Sequence, residues 1–110
     1  MGLFDLFKKK FETISPEAAK ALQENGAVLI DVRESHEYKN FHAPGAKLIS
    51  LGVLERRLKE IPSEREILVV CQSGMRSSQA AGILSKNGYQ VKNVAGGMSA
   101  WQRAGLKVVR

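Results

Sequence analysis

The sequence predicts an α/β domain built around a mainly parallel sheet. Short β-prone runs alternate along the chain with helix-like stretches, the pattern of strands joined by crossover helices. Two of the runs, Ala27–Val32 and Glu66–Val70, are nearly continuous apolar stretches, as strands covered on both faces must be. Helix-like segments close on Asn25-Gly26 and Asn87-Gly88, a pair that ends a helix cleanly.

The elements follow in order. Ser15-Pro16-Glu17 opens a helix: a capping hydroxyl, proline at the first position, then an acid near the positive dipole end. That helix carries Ala18, Ala19, Ala21 and Leu22 up to Asn25-Gly26. The strand Ala27–Val32 follows, and Ser35 is expected to cap a short helix holding Tyr38 and Phe41. His42-Ala43-Pro44-Gly45-Ala46 is a turn, and Lys47–Ser50 a second short strand. Leu51, Leu54, Leu58 and Ile61 share one face of a predicted helix that Pro62 stops. Glu66–Val70 is the strand before Cys71, and Arg76–Lys86 the helix after it. Tyr89–Val94 alternates as a strand does. Gly96-Gly97 is a break, Met98–Ala104 a short helix, and Leu106, Val108 and Val109 lie in a last extended piece.

With 110 residues, the chain is of single-domain size and can bury a core without covalent staples. It has one cysteine, so an internal disulfide and a multi-cysteine zinc site are excluded. His36 and His42 lack metal-ligand spacing, and no metal or cofactor is expected. A lone thiol suits a reducing compartment, most simply the cytoplasm. The net charge of +6 favours anionic partners. The basic residues are spread along the chain with no nucleic-acid motif, so nucleic acid is not expected as a partner. No apolar run approaches the roughly 20 residues that span a membrane, and the N-terminus lacks the features of a secretory signal. Residues 1–12 read as an amphipathic extension and residues 13–110 as the domain. Leu3, Phe4, Phe7 and Phe11 beside Lys8, Lys9 and Lys10 could lie on an anionic membrane or dock a partner. The plainer reading is a short extra helix closing over the core, or a tail.

Cys71 opens the most informative segment. Ile67-Leu68-Val69-Val70 leads into the thiol, and Gln72, Ser73, Gly74 and Met75 bridge to the helix that starts near Arg76. Gly74 permits backbone angles costly for other residues. So short a bridge can turn successive N–H groups into an anion-binding concavity, and the helix N-terminus adds its positive dipole end. Both favour Cys71 as the thiolate, and nearby cations can lower a thiol from about 8.5 to between ~3.5 and 7.5. Arg76 is the nearest fixed charge in sequence, placed either to hold an oxyanion or to stabilise the loop. Ser73 and Ser77 are further donors. A buried structural cysteine is a common alternative for a free thiol, but it would not need this loop. Cysteine phosphatases use a Cys-x5-Arg loop sized for phosphate; here the spacing is Cys-x4-Arg. A smaller loop suits attack on sulfur close to the thiol.

From about residue 13 to 109 the chain resembles the rhodanese-like domain family. The resemblance rests on Asp31-Val32-Arg33-Glu34 with Glu37-Tyr38, on the turn His42–Ala46, on the loop Cys71–Ser77, and on Gly96-Gly97-Met98-Ser99-Ala100-Trp101, all in register. It implies a five-stranded parallel sheet flanked by helices on both faces, and a sulfurtransferase of the thiosulfate type. Cys71 would attack the sulfane sulfur of a small anionic donor and carry it as a persulfide. A thiol, a sulfur-acceptor protein or cyanide would remove it. The amides from Gln72 to Ser77 would hold the persulfide and the leaving anion, making Gln72, Ser73, Gly74, Met75, Arg76 and Ser77 the substrate-binding set. The resemblance also implies an Asp31–Arg33 ion pair behind the loop and a core role for Trp101. Many relatives carry a second basic residue after the cysteine, where Gln72 stands. Thiosulfate is therefore expected to be a poor donor beside a protein or small-molecule persulfide. Two other readings remain open: a sulfur-carrying or partner-binding module with little turnover, and a cysteine phosphatase or arsenate reductase. The short loop and the absence of a resolving cysteine weigh against the latter.

Overall fold

The computed structural model describes residues 10–110; residues 1–9, most of the amphipathic extension, lie outside them. The strands are β1 (Glu12–Ile14), β2 (Val28–Asp31), β3 (Lys47–Leu48), β4 (Ile67–Val70) and β5 (Val91–Val94). The α-helices are α1 (Pro16–Glu24), α2 (Ser35–Asn40), α3 (Met75–Lys86) and α4 (Gly97–Arg103), with a 3₁₀ segment over Leu51–Glu60 between β3 and β4. The five strands form one sheet in the order β1-β5-β4-β2-β3, and every pairing is parallel.

β4 lies at the centre because all four of its residues are apolar and both of its faces are covered. Leu68 and Val70 pack with Ala19, Leu29, Met98 and Trp101 on the α1 and α4 side. Ile67 and Val69 pack with Ile30, Leu54, Ala81 and Leu84 on the α3 side, and Cys71 continues that side. The chain leaves β2 and β4 toward opposite edges of the sheet. In open α/β sheets ligands bind beyond the strands' carboxyl ends at such a reversal, and Cys71 is the first residue beyond β4.

α1 matches its sequence signature: the Ser15 hydroxyl accepts from the Ala18 N–H at 3.1 Å. Three expectations are corrected. α2 is capped by Glu34 and not Ser35, because Glu37 reaches back to accept the Glu34 N–H at 3.0 Å. Phe41 falls just past the end of α2, in an extended conformation. The predicted helix Leu51–Ile61 is a 3₁₀ segment broken at Arg57 (φ −117°, ψ 18°). Apolar residues three apart suit a three-residue turn as well as an α-turn, and the break coincides with the one four-residue step, Leu54 to Leu58.

β1 is a strand the sequence pattern does not announce. Glu12, Thr13 and Ile14 are largely exposed, and they pair only with Lys92, Asn93 and Val94 of β5. Such an edge strand needs no apolar run. The last extended piece does not join the sheet; Val109 bridges His42 through a reciprocal pair of backbone bonds at 2.8 Å. Trp101 is fully buried, its indole N–H donating to the Lys107 carbonyl at 2.9 Å.

Candidate active site

The loop after β4 is held from behind by α4. The Cys71 carbonyl accepts the Met98 N–H at 2.7 Å and the Gln72 carbonyl accepts the Ser99 N–H at 3.1 Å. So close an approach requires glycine at position 97: a Cβ there would lie 2.3 Å from the Cys71 carbonyl oxygen. Gly74 turns the chain at φ +110° and accepts the Ser78 N–H, which starts α3. Only a residue without Cβ holds that angle without strain.

The Cys71 side chain is almost wholly buried, 1 % exposed. The Gly74 N–H donates to its sulfur at 3.1 Å, and the Ser77 hydroxyl at 3.3 Å. Burial pushes the thiol up, while the Ser77 hydroxyl and the amides of Ser77, Gly74 and Ser73 pull it down; the donors prevail and the thiol is lowered. Hydrogen bonds aimed at the charged form outweigh desolvation here.

The ion pair implied behind the loop is present. Arg33 Nη2 lies 2.8 Å from Asp31, and both side chains are out of solvent. The same guanidinium donates to the Phe41 carbonyl at 2.7 Å and to the Gln72 carboxamide oxygen at 3.2 Å. Gln72 completes the bridge by donating to the Ser99 hydroxyl at 2.9 Å. Its side chain is thus engaged by two protein groups, Arg33 and Ser99. Arg33 joins the ends of β2 and α2 to the loop, which explains why an arginine, with its forked donors, stands there.

Of the remaining loop residues, Ser77 is buried against the sulfur, Ser73 is exposed, and Met75 is 78 % exposed at the start of α3. Arg76 is engaged by a partner that local sequence does not reveal. Its Nη1 and Nη2 donate to the two Glu37 carboxylate oxygens at 2.7 and 2.9 Å, across 39 residues of chain. The Arg76 guanidinium holds the Glu37 carboxyl down at about 2. The loop-helix geometry around Cys71 was readable locally; Glu37 and Ser99 were visible only as members of family-like motifs, with nothing to mark their contacts.

No cluster of metal-ligating side chains occurs among the described residues. A groove of about 740 Å³ runs between the 3₁₀ segment and α3, lined by Phe11, Leu51 and Ile83 among others, but none of the residues from Cys71 to Ser77 lines it.

A family model described as the rhodanese-like domain matches residues 15–104. The thiosulfate sulfurtransferase GlpE of Actinobacillus pleuropneumoniae serotype 7 is 36 % identical over 100 residues, covering 89 % of this chain and 93 % of that protein. A putative sulfur carrier protein, YrkF of Bacillus subtilis, is 43 % identical over 74 residues, 66 % of this chain; the match spans only 40 % of that longer protein. Among solved structures, a rhodanese-related protein from Thermoplasma volcanium superposes with a TM-score of 0.84 at 25 % identity, covering 90 % of this chain and 98 % of that one. The family match takes in β2 through α4, including the loop and both elements that brace it. On that extent, and on the architecture it accompanies, the chain belongs to the rhodanese-like domain family.

Proposed function

We propose that this protein is a sulfurtransferase that carries sulfane sulfur as a persulfide on Cys71. One observation supports the reading above others: a buried thiol at the end of the central strand, lowered by the Gly74 amide and the Ser77 hydroxyl that converge on it. The thiolate attacks the outer sulfur of a donor such as thiosulfate. The donor's sulfur–sulfur bond breaks, and sulfite leaves with the electron pair. The terminal persulfide sulfur then occupies the space in front of the loop. There the amides of the first turn of α3, which lack intrahelical partners, face its negative charge. A thiolate or cyanide takes the terminal sulfur, and the Cys71 thiolate is regenerated. Because the chain has a single cysteine, the sulfur must leave with an external acceptor.

Intact mass spectrometry after incubation with thiosulfate tests the reading. The expected result is a gain of one sulfur atom, reversed by cyanide and absent in Cys71→Ala. A gain that persists in Cys71→Ala overturns it, as does hydrolysis of an aryl phosphate without any sulfur gain. The engagement of Arg76 by Glu37 favours a second reading, a sulfur carrier loaded slowly by thiosulfate and discharged to a partner protein. Rapid steady-state turnover with thiosulfate and cyanide would exclude it. A persulfide carrier of this kind works in a reducing compartment, consistent with the cytoplasm.

A further inference from the structure

The chain carries a net charge of +6, but the arginine of the Cys71 loop and the one bonded to Gln72 are each paired with a carboxylate. Arg33 is cancelled by Asp31 in a buried pair. Arg76, the cation of the loop itself, is cancelled by Glu37 through both terminal nitrogens. Glu34, the residue before α2, adds a further negative charge close enough to act on Arg76. Among the described residues, both the arginine of the loop and the one bonded to Gln72 are neutralised, and the groups that touch the Cys71 sulfur are a backbone amide and a hydroxyl, which carry partial charges only.

We propose that Glu37 is a specificity-determining residue: by holding Arg76 in a neutral pair it tunes the loop toward monoanionic sulfane-sulfur donors, persulfides (RSS⁻) and thiosulfonates (RSO₂S⁻), over dianionic thiosulfate. The proposal rests on the sulfurtransferase reading and specifies its donor. The chemistry is the same for each class. With a thiosulfonate, the Cys71 thiolate attacks the sulfane sulfur, that sulfur's bond to the sulfonyl group breaks, and the sulfinate RSO₂⁻ departs with the electron pair. The thiosulfonate brings one negative charge to the loop and its sulfinate takes one away, whereas thiosulfate brings two and sulfite takes two away.

Coulomb work is linear in the donor's charge. Changing the fixed charge at the loop by one unit must therefore act on a dianion twice as strongly, in free energy, as on a monoanion. This gives a signature that a merely structural role for the ion pair does not share. The test measures kcat/KM for thiosulfate and for benzenethiosulfonate at low ionic strength, with cyanide as acceptor. Glu37→Gln frees the Arg76 charge. It is expected to raise kcat/KM about 10-fold for thiosulfate and about 3-fold, the square root, for benzenethiosulfonate. Arg76→Gln leaves the Glu37 charge unopposed and should give the mirror image, a larger fall for thiosulfate than for benzenethiosulfonate. Added salt should shrink both differences. Equal changes for the two donors in either variant mean that the pair only braces α2 against the loop, and the proposal fails. A wild-type protein that takes sulfur from neither donor overturns the sulfurtransferase reading and the proposal with it. An active wild type whose donor ratio is unmoved by Glu37→Gln overturns the proposal alone.

Discussion

At the thiol, hydrogen-bond donors work against burial. Cys71 is buried among apolar side chains, a setting that by itself would keep it protonated and inert. The Ser77 hydroxyl and the amides of Ser77, Gly74 and Ser73 together reverse that outcome. Ser77→Ala removes the hydroxyl and leaves the amides. A hydrogen bond to a charged group contributes about 1.5–3 kcal/mol, and one pH unit corresponds to about 1.4 kcal/mol. The acid limb of the pH–rate profile for sulfur loading should therefore move up by about one to two pH units. The direction follows from the sign of the shift. A thiol held low is lost as thiolate only when pH falls through its lowered value, and weakening that hold raises the pH at which the loss begins. An unmoved acid limb in Ser77→Ala would show that the amides alone set the thiolate. Much at this scale was legible in the sequence, since Cys71, Gly74 and Ser77 lie within one strand-loop-helix step. The identity of the partner of Arg76 was not, because Glu37 lies 39 residues away and only the packing of α2 brings it there.

At the scale of elements, the site depends on two braces behind it. α4 fastens the loop through backbone bonds from Met98 and Ser99. Arg33 fastens it to β2 and α2 through Asp31, Phe41 and Gln72. The Asp31–Arg33 pair is fully out of solvent, so loss of one partner leaves a buried, uncompensated charge, at a cost of about 3–5 kcal/mol. Asp31→Asn is therefore expected to lower the urea midpoint by a large share of the total stability of a domain this size, typically 5–15 kcal/mol. A midpoint within error of the wild type would mean that Phe41 and Gln72 suffice to hold Arg33. The pair itself follows from the family-like motif at Asp31-Val32-Arg33. Its reach to Gln72 does not, and it changes what Gln72 means. In the sequence this residue reads as a missing second cation; in the fold its carboxamide joins Arg33 to Ser99. Elements whose apolar spacing admits two helix types, such as Leu51–Glu60, are likewise decided by packing and by the break at Arg57.

On the scale of the whole molecule, the sheet order places Cys71 where the chain turns toward opposite edges. The far edge is closed by β1, and the residue before it, Phe11, packs against the core on the α3 side. Lys10 is tied to α3 as well, its carbonyl accepting from the Ser85 hydroxyl at 3.2 Å. The chain near residue 11 thus contributes to the domain's own packing. A partly buried phenylalanine contributes about 1–2 kcal/mol of apolar burial. Phe11→Ala should lower Tm by several degrees, at about 4–8 °C per kcal/mol for a domain of this size. Persulfide formation at 25 °C should continue, because Phe11 lies on the groove and not on the loop. A Tm equal to that of the wild type would mean that Phe11 adds nothing to the core.

The sequence by itself determined the class of the fold and the strand-loop-helix setting of Cys71. Those depend on apolar runs, glycine and donor spacing that act within a few residues of one another. Only the tertiary structure decided which charges around the loop are paired. Arg76 and Arg33 read as cations along the chain, but each is neutralised by a carboxylate that folding brings to it. Coulomb interactions depend on distance in space, and that distance is set by how α2, β2 and the loop pack. The edge strand β1 belongs to the same category, since the pairing that makes it a strand comes from β5, about 80 residues along the chain.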